Sequence, residues 1–186
     1  MLLGVLPAIL GVVAMTGIVH IVSLFAMPRL APKDAFSRVS TIAPLFKIWP
    51  VPSASRDQLP FEDPATELAI CRYDLRQGPL HMTGTLQPDS LMLFTFSARY
   101  GQIFYSMTDR GASRGRLDVL VLTQAQLDSI ETAESGDELP AELRIVAPTN
   151  EGFVLVRTLA EQQGDVPEAR RRVTSIGCAL GKTPNS

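Results

Sequence analysis

The spacing of hydrophobic and polar positions divides the chain into an unbroken apolar run, a proline-punctuated stretch and a series of short alternations. From Leu2 to Met27 there is no Asp, Glu, Lys or Arg, and His20 is the only strongly polar side chain. A helix rises 1.5 Å per residue, so roughly 20 apolar residues cross a hydrocarbon core of about 30 Å. The run is long enough to cross with some tilt. Pro7 falls near the start, where early amides lack partners inside the helix, and Pro28 is expected to stop it. A cleaved signal peptide would need a basic leader and an apolar core of about 7–15 residues, and the run has neither. Residues 1–27 therefore read as one transmembrane anchor, with residues 2–27 in contact with the lipid bilayer. His20 is a functional candidate simply as an ionisable group inside a span. Its place eight positions before Pro28 sets it near the headgroups instead.

Residues 28–64 read as a tether. Pro28, Pro32, Pro44, Pro50, Pro52, Pro60 and Pro64 fix φ and remove donors, so long regular elements are not expected. A short helix from Pro32 to about Ile42 fits the spacing of Ala35, Phe36, Val39 and Ile42. Trp49 is expected either to pack on the domain or to rest at the membrane interface.

After Pro64 the period drops to two. Glu67–Leu75 reads as a strand ended by Gln77-Gly78-Pro79. Leu80–Leu86 follows, with Leu80, Met82 and Leu86 on one face and His81, Thr83 and Thr85 on the other. Leu91–Ser97 is apolar on both faces, as a central strand would be. Tyr100-Gly101 turns the chain into Gln102–Thr108, rich in aromatic and β-branched residues. A loop over Asp109–Arg116 leads to a strand at Leu117–Leu122, and Thr123 can cap a helix from Gln124 to Thr132. Glu142–Ala147 and Gly152–Leu159 are expected to form a hairpin across Thr149-Asn150-Glu151-Gly152. A helix from Val166 to Ile176 closes the domain, with Asp165 and Glu168 at capping-box spacing. About seven strands in tight succession predict a mainly β fold, an antiparallel sheet or sandwich with short peripheral helices, over residues 65–180. Residues 181–186 are expected to be a flexible tail.

Charge and chemistry narrow the picture mostly by exclusion. Seventeen basic against 19 acidic residues, with Arg170-Arg171-Arg172 the only basic cluster, argue against a nucleic-acid binder. A zinc site needs three or four convergent ligands, and with two histidines the chain announces none. Neither a Cys-x-x-Cys nor a Gly-x-Ser-x-Gly nor a glycine-rich phosphate loop is present, so no metal or cofactor is expected. A hydrolase would have to use His81 as its base. The most polar constellation is Arg72, Asp74, His81, Tyr105, Asp109 and Arg110. Arg72 and Asp74 alternate onto one strand face, and His81 is expected to pair nearby across Gln77-Gly78. Such a cleft would suit a small anionic ligand; the plainer expectation is ion pairs and turn caps that fix strand register.

Compartment is open at this level. Arg29, Lys33, Arg38 and Lys47 all follow the apolar run, and no Lys or Arg precedes it, which by the positive-inside rule puts the domain in the cytoplasm. Cys71 and Cys178 are either a disulfide pair or two buried thiols.

The segments Cys71-Arg72-Tyr73-Asp74-Leu75 with Gly78-Pro79-Leu80-His81, then Tyr100 to Arg110, then Val121-Leu122-Thr123, then Asn150 to Arg157, resemble the short, single-span α-proteobacterial members of the family called domain of unknown function 1254. The resemblance runs from the apolar run to Cys178 and rests on strand and turn signatures. It implies an inner-membrane protein whose β-rich domain faces the periplasm, with a Cys71–Cys178 disulfide. It also implies a partner bearing the sister domain of unknown function 1214, which longer members carry in the same chain. No activity comes with it. The sequence thus favours a noncatalytic envelope interaction protein, with a small-ligand-binding protein or enzyme using the Arg72/Asp74/His81 face as the alternative.

Overall fold

The computed structural model describes residues 2–30, 35–51, 65–87, 90–112, 115–133 and 142–181. It divides into two compact units, Met1–Asp34 and Ala35–Ser186.

The first unit is a helix, α1 (Leu2–Leu30), whose stretch Val5–Met27 has a mean hydropathy of 2.3. Thr16 is compatible with that apolar surface because its hydroxyl donates to the Val12 carbonyl at 2.8 Å, which leaves no hydroxyl hydrogen unbound. The helix runs past Pro28 rather than stopping at Met27. Proline's φ is helical, and both its missing amide and its ring's crowding of the carbonyl four residues back arise in the last turn, where the helix ends two residues later.

In the second unit, α2 (Ala35–Ile42) and β1 (Ile48–Pro50) precede the alternating segment. Then come β2 (Thr66–Asp74), β3 (Leu80–Thr85), β4 (Met92–Ala98), β5 (Ile103–Thr108), β6 (Arg116–Leu122), α3 (Gln124–Ala133), β7 (Leu143–Val146), β8 (Glu151–Leu159), α4 (Val166–Thr174) and β9 (Gly177–Leu180). The described strands form a five-stranded sheet, β1-β2-β8-β4-β5, and a four-stranded sheet, β7-β6-β3-β9. All neighbours are antiparallel except β6 and β7. The mainly β expectation, with peripheral helices and an N-terminal apolar helix, is met.

Alternation explains the core. On β3, Leu80 and Met82 turn inward and are fully buried, and on β4 Met92, Phe94 and Phe96 do the same. They meet Ala69, Cys71, Tyr73, Val154 and Val156 from the five-stranded sheet and Val119, Val121 and Ile145 from the other. A disulfide joins Cys71 of β2 to Cys178 of β9, a bond between the two sheets. A second core lies on the outer face of the five-stranded sheet. There Phe36, Val39 and Ala43 of the α2 region cover Leu68, Ile70 and Phe153. Leu120, Leu122 and Ile130 make a third beneath α3. Thr123 does cap α3, in reciprocal exchange with Gln126: the Gln126 amide donates to the Thr123 hydroxyl, and the Thr123 amide donates to Gln126 Oε1.

Several expectations need correction. The tether expected over residues 28–64 does hold its short helix, as α2, but it also contributes the strand β1, where Trp49 lies opposite Ile70, 37% exposed. Residues 31–34 and 52–64 of that tether, and 182–186 of the expected tail, lie outside the described residues. β7 and β8 are not a hairpin. β7 runs parallel to β6 after the α3 crossover, and the chain then passes to the other sheet before β8 begins. Ile145 is what holds β7 there, since it belongs to the central core. Nor is Gln77-Gly78-Pro79 a hairpin turn, because β2 and β3 belong to opposite sheets. Gly78 has φ +140°, a value that other residues rarely adopt. Asp165 does not cap α4. Its backbone is already helical, and its carboxylate accepts from the Gln162 amide at 3.1 Å in the 3₁₀ turn that precedes the helix.

Candidate functional site

The polar residues singled out by sequence do not form one cleft. Arg72 and Asp74 lie on the same face of β2, as their spacing requires, but they engage different partners. Arg72 reaches across to the α2 region, where its guanidinium donates to the carbonyls of Ala43 at 2.8 Å and Ser40 at 3.3 Å. Burial lowers its pKa. Its Nε is buried without a hydrogen-bond partner among the described residues, and its guanidinium carbon lies 4.8 Å from the Phe36 ring centroid.

Asp74 pairs with Arg76 through two bonds of 2.9 Å. Arg76 also reaches Glu151, directly opposite Asp74 on β8, and Arg99 closes on the same Glu151 carboxylate. Arg99 also lies over Phe36, at 5.2 Å. Sequence reasoning missed Arg76, Arg99 and Glu151. The signal that could have found them is that each stands at a strand end or turn, but their convergence depends on the β2–β8–β4 pairing.

This network can fix strand register, and it holds no nucleophile beside a base. The Arg76 hydrogen bonds hold the Asp74 carboxyl below its usual range. A depressed carboxyl contributes stability that is present above its unfolded value, near 3.9, and lost as pH falls through the folded value. Replacing Arg76 with glutamine is therefore expected to flatten the acid limb of stability measured by urea unfolding between pH 5 and pH 2. The change should be small, since Arg76 is 60% exposed.

His81 lies on β3, in the other sheet, where its Nε2 meets Asp118 of β6 at 2.8 Å. The expected approach of His81 to Arg72 and Asp74 fails because the intervening turn changes sheets. Asp109 is a loop clasp: its carboxylate accepts from the Ser90 hydroxyl and the Leu91 amide, and from the Arg110 amide. Tyr105 sits on edge strand β5 with its ring edge-on to Phe96, 5.8 Å between centroids. Among the described residues no group of three or more His, Cys, Asp or Glu could hold a metal ion.

A concave surface does exist elsewhere. On the outer face of the five-stranded sheet, beside the strip covered by α2, a trough of about 370 Å³ opens over β8, β4 and β5. Register explains it. Leu155, Thr95 and Ser106 form one row across three strands, and Phe153, Ser97 and Ile103 form the next. Short hydroxyl side chains at the centre leave a hollow between larger apolar ones. Arg157, flanked on its two neighbouring strands by Leu68 and Leu93, stands at one end.

A family model described as "Protein of unknown function (DUF1254)" matches residues 48–179, from β1 through β9. The chain belongs to the DUF1254 family. No curated protein matches it. Among solved structures, the VPA0106 protein from Vibrio parahaemolyticus aligns with a TM-score of 0.54 at 13% identity, covering 77% of this chain and 32% of that one. An uncharacterised protein from Burkholderia cenocepacia aligns with a TM-score of 0.48 at 12% identity, covering 76% and 36%. The first likeness supports the fold of this DUF1254 domain, and the chain spans about a third of the length of both proteins.

Proposed function

We propose that this DUF1254 chain is a membrane-anchored, noncatalytic interaction protein of the bacterial inner membrane. Its β domain faces the periplasm and pairs with an envelope protein carrying the sister domain, DUF1214. The observation that carries the reading is a charge-free N-terminal stretch, Val5–Met27, in the same chain as a domain bonded through Cys71–Cys178. Disulfides persist in oxidising compartments and are rare in the cytosol, which favours export over the placement that flanking charge alone suggests. The convergent polar groups hold strand ends and loops, which favours binding over catalysis.

Three measurements test the parts separately. The chain should remain in the membrane pellet after alkaline extraction, and its release would refute the anchor. A phosphatase fused after Ser186 should be active; an inactive but stably expressed fusion would place the domain in the cytoplasm. Crosslinked cells should yield the sister-domain protein over an anchor-only control. Without that enrichment the pairing fails.

A further inference from the structure

The outer face of the five-stranded sheet is covered by the α2 region over Leu68, Ile70 and Phe153 and opens into the trough from β8 across β4 to β5, and the open part carries an unusual mixture of groups. Leu93, Leu155 and Ile103 present apolar surface, Ile103 at 61% exposure. Between them sit the hydroxyls of Thr95, Ser97 and Ser106, none of which makes a side-chain hydrogen bond to another described residue. Arg157 closes the trough on one side and forms no ion pair with any described residue. Every other described arginine on this face has a partner: Arg72 binds carbonyls of the α2 region, and Arg99 meets Glu151.

We propose that this trough is a binding site for a small apolar monocarboxylate, an acid with an aliphatic or aromatic body. The site has the composition of a ligand pocket, apolar walls with a few convergent polar groups, at the small end of the usual volume range. Arg157 supplies the fork that matches a carboxylate in geometry and charge. The row Thr95–Ser106 offers hydroxyl donors beside it, and the wall of Leu155, Phe153 and Ile103 receives the body of the acid. From the Arg157 row to the Phe153 row is about 13 Å along β8, four residues at the rise of a strand, which a medium-chain acid spans. The lone cation also decides between occupants. A second copy of this chain docking through the same face would bury both Arg157 guanidiniums against a trough whose lining offers no carboxylate.

The test uses the full chain in lipid nanodiscs, with octanoate as probe and empty nanodiscs as the baseline for partition into lipid. Binding is read from the line width of a terminally fluorinated octanoate and its displacement by unlabelled octanoate. Octanoate should bind above the baseline, and octanamide, of the same length without the charge, should compete at least tenfold more weakly. Arg157→Gln should weaken octanoate roughly tenfold or more, the loss expected of one charge-assisted pair, while leaving octanamide unchanged. Ser106→Trp, which fills the hollow from an exposed edge-strand position, should abolish both. No binding above the lipid baseline would overturn the site. So would equal binding of acid and amide, or binding that survives Ser106→Trp. None of these outcomes depends on whether the sister-domain protein is captured.

Discussion

Replacing Gly152 with alanine is expected to destabilise the β domain by about 2–6 kcal/mol. Gly152 lies on β8 opposite Tyr73 on one side and Ala98 on the other. A Cβ at this position would come 2.2 Å from the Tyr73 hydroxyl oxygen and 2.4 Å from the Ser97 carbonyl oxygen. Those two atoms are themselves bonded, since the Tyr73 hydroxyl donates to the Ser97 carbonyl at 3.2 Å over the glycine. Both obstacles are rigid, one a ring in the fully buried core and the other backbone of a central strand. Overpacking costs about 1–3 kcal/mol, and a buried hydroxyl driven from its acceptor adds about 1–3 more. In a domain of this size the sum lowers Tm by roughly 5–15 °C, measurable by calorimetry. Burial raises the Tyr73 pKa, so the hydroxyl stays protonated and remains a donor at any ordinary pH. A Tyr73→Phe substitution in the Gly152→Ala background removes the clashing oxygen and should recover part of the loss. An unchanged Tm in the single variant would show that β8 shifts freely at this point.

That contact also marks the boundary of what the sequence made legible. Alternation on β3 identified the inward residues Leu80, Met82 and Leu86, because burial on one face leaves a period-two record in the chain itself, whereas β4 read as apolar on both faces and showed no inward set. Thr123 announced the start of α3 because a cap is a local matter between residues three apart, although its partner Gln126 emerged only in the structure. Pairing between strands leaves no such record. The turn at Gln77-Gly78-Pro79 looks the same whether it returns the chain to its own sheet or hands it to the opposite one, and the handover separated His81 from Arg72 and Asp74. The short edge strands β1 and β9, of three and four residues, were missed because so few positions cannot display a period. The trough was invisible for a further reason. Thr95, Ser106 and Arg157 lie on three strands, and only the register β8–β4–β5 makes them neighbours.

Removing the disulfide, by Cys71→Ala with Cys178→Ala, is expected to cost about 4–5 kcal/mol. The bond closes a loop with a sequence separation of 107, and in the chain-entropy model a loop of that size restricts the unfolded chain by roughly this amount. Its position adds a structural reason. Cys71 is fully buried on β2, whereas β9 is an edge strand of four residues paired only with β3. The bond therefore pins a weakly held edge to an interior strand of the opposite sheet. For a domain with a typical stability of about 5–15 kcal/mol, losing it removes roughly a quarter or more of the margin. Urea unfolding of the full chain in detergent, with and without reductant, should show the same shift in midpoint as the double variant. Protection of the bond by burial predicts that reductant acts only where the domain already opens. The same chemistry reports the compartment. In cells with the chain in its native orientation, both thiols should resist alkylation until a reductant is added. Rapid alkylation without reductant would mean that the bond never forms there, and the periplasmic placement would fall with it.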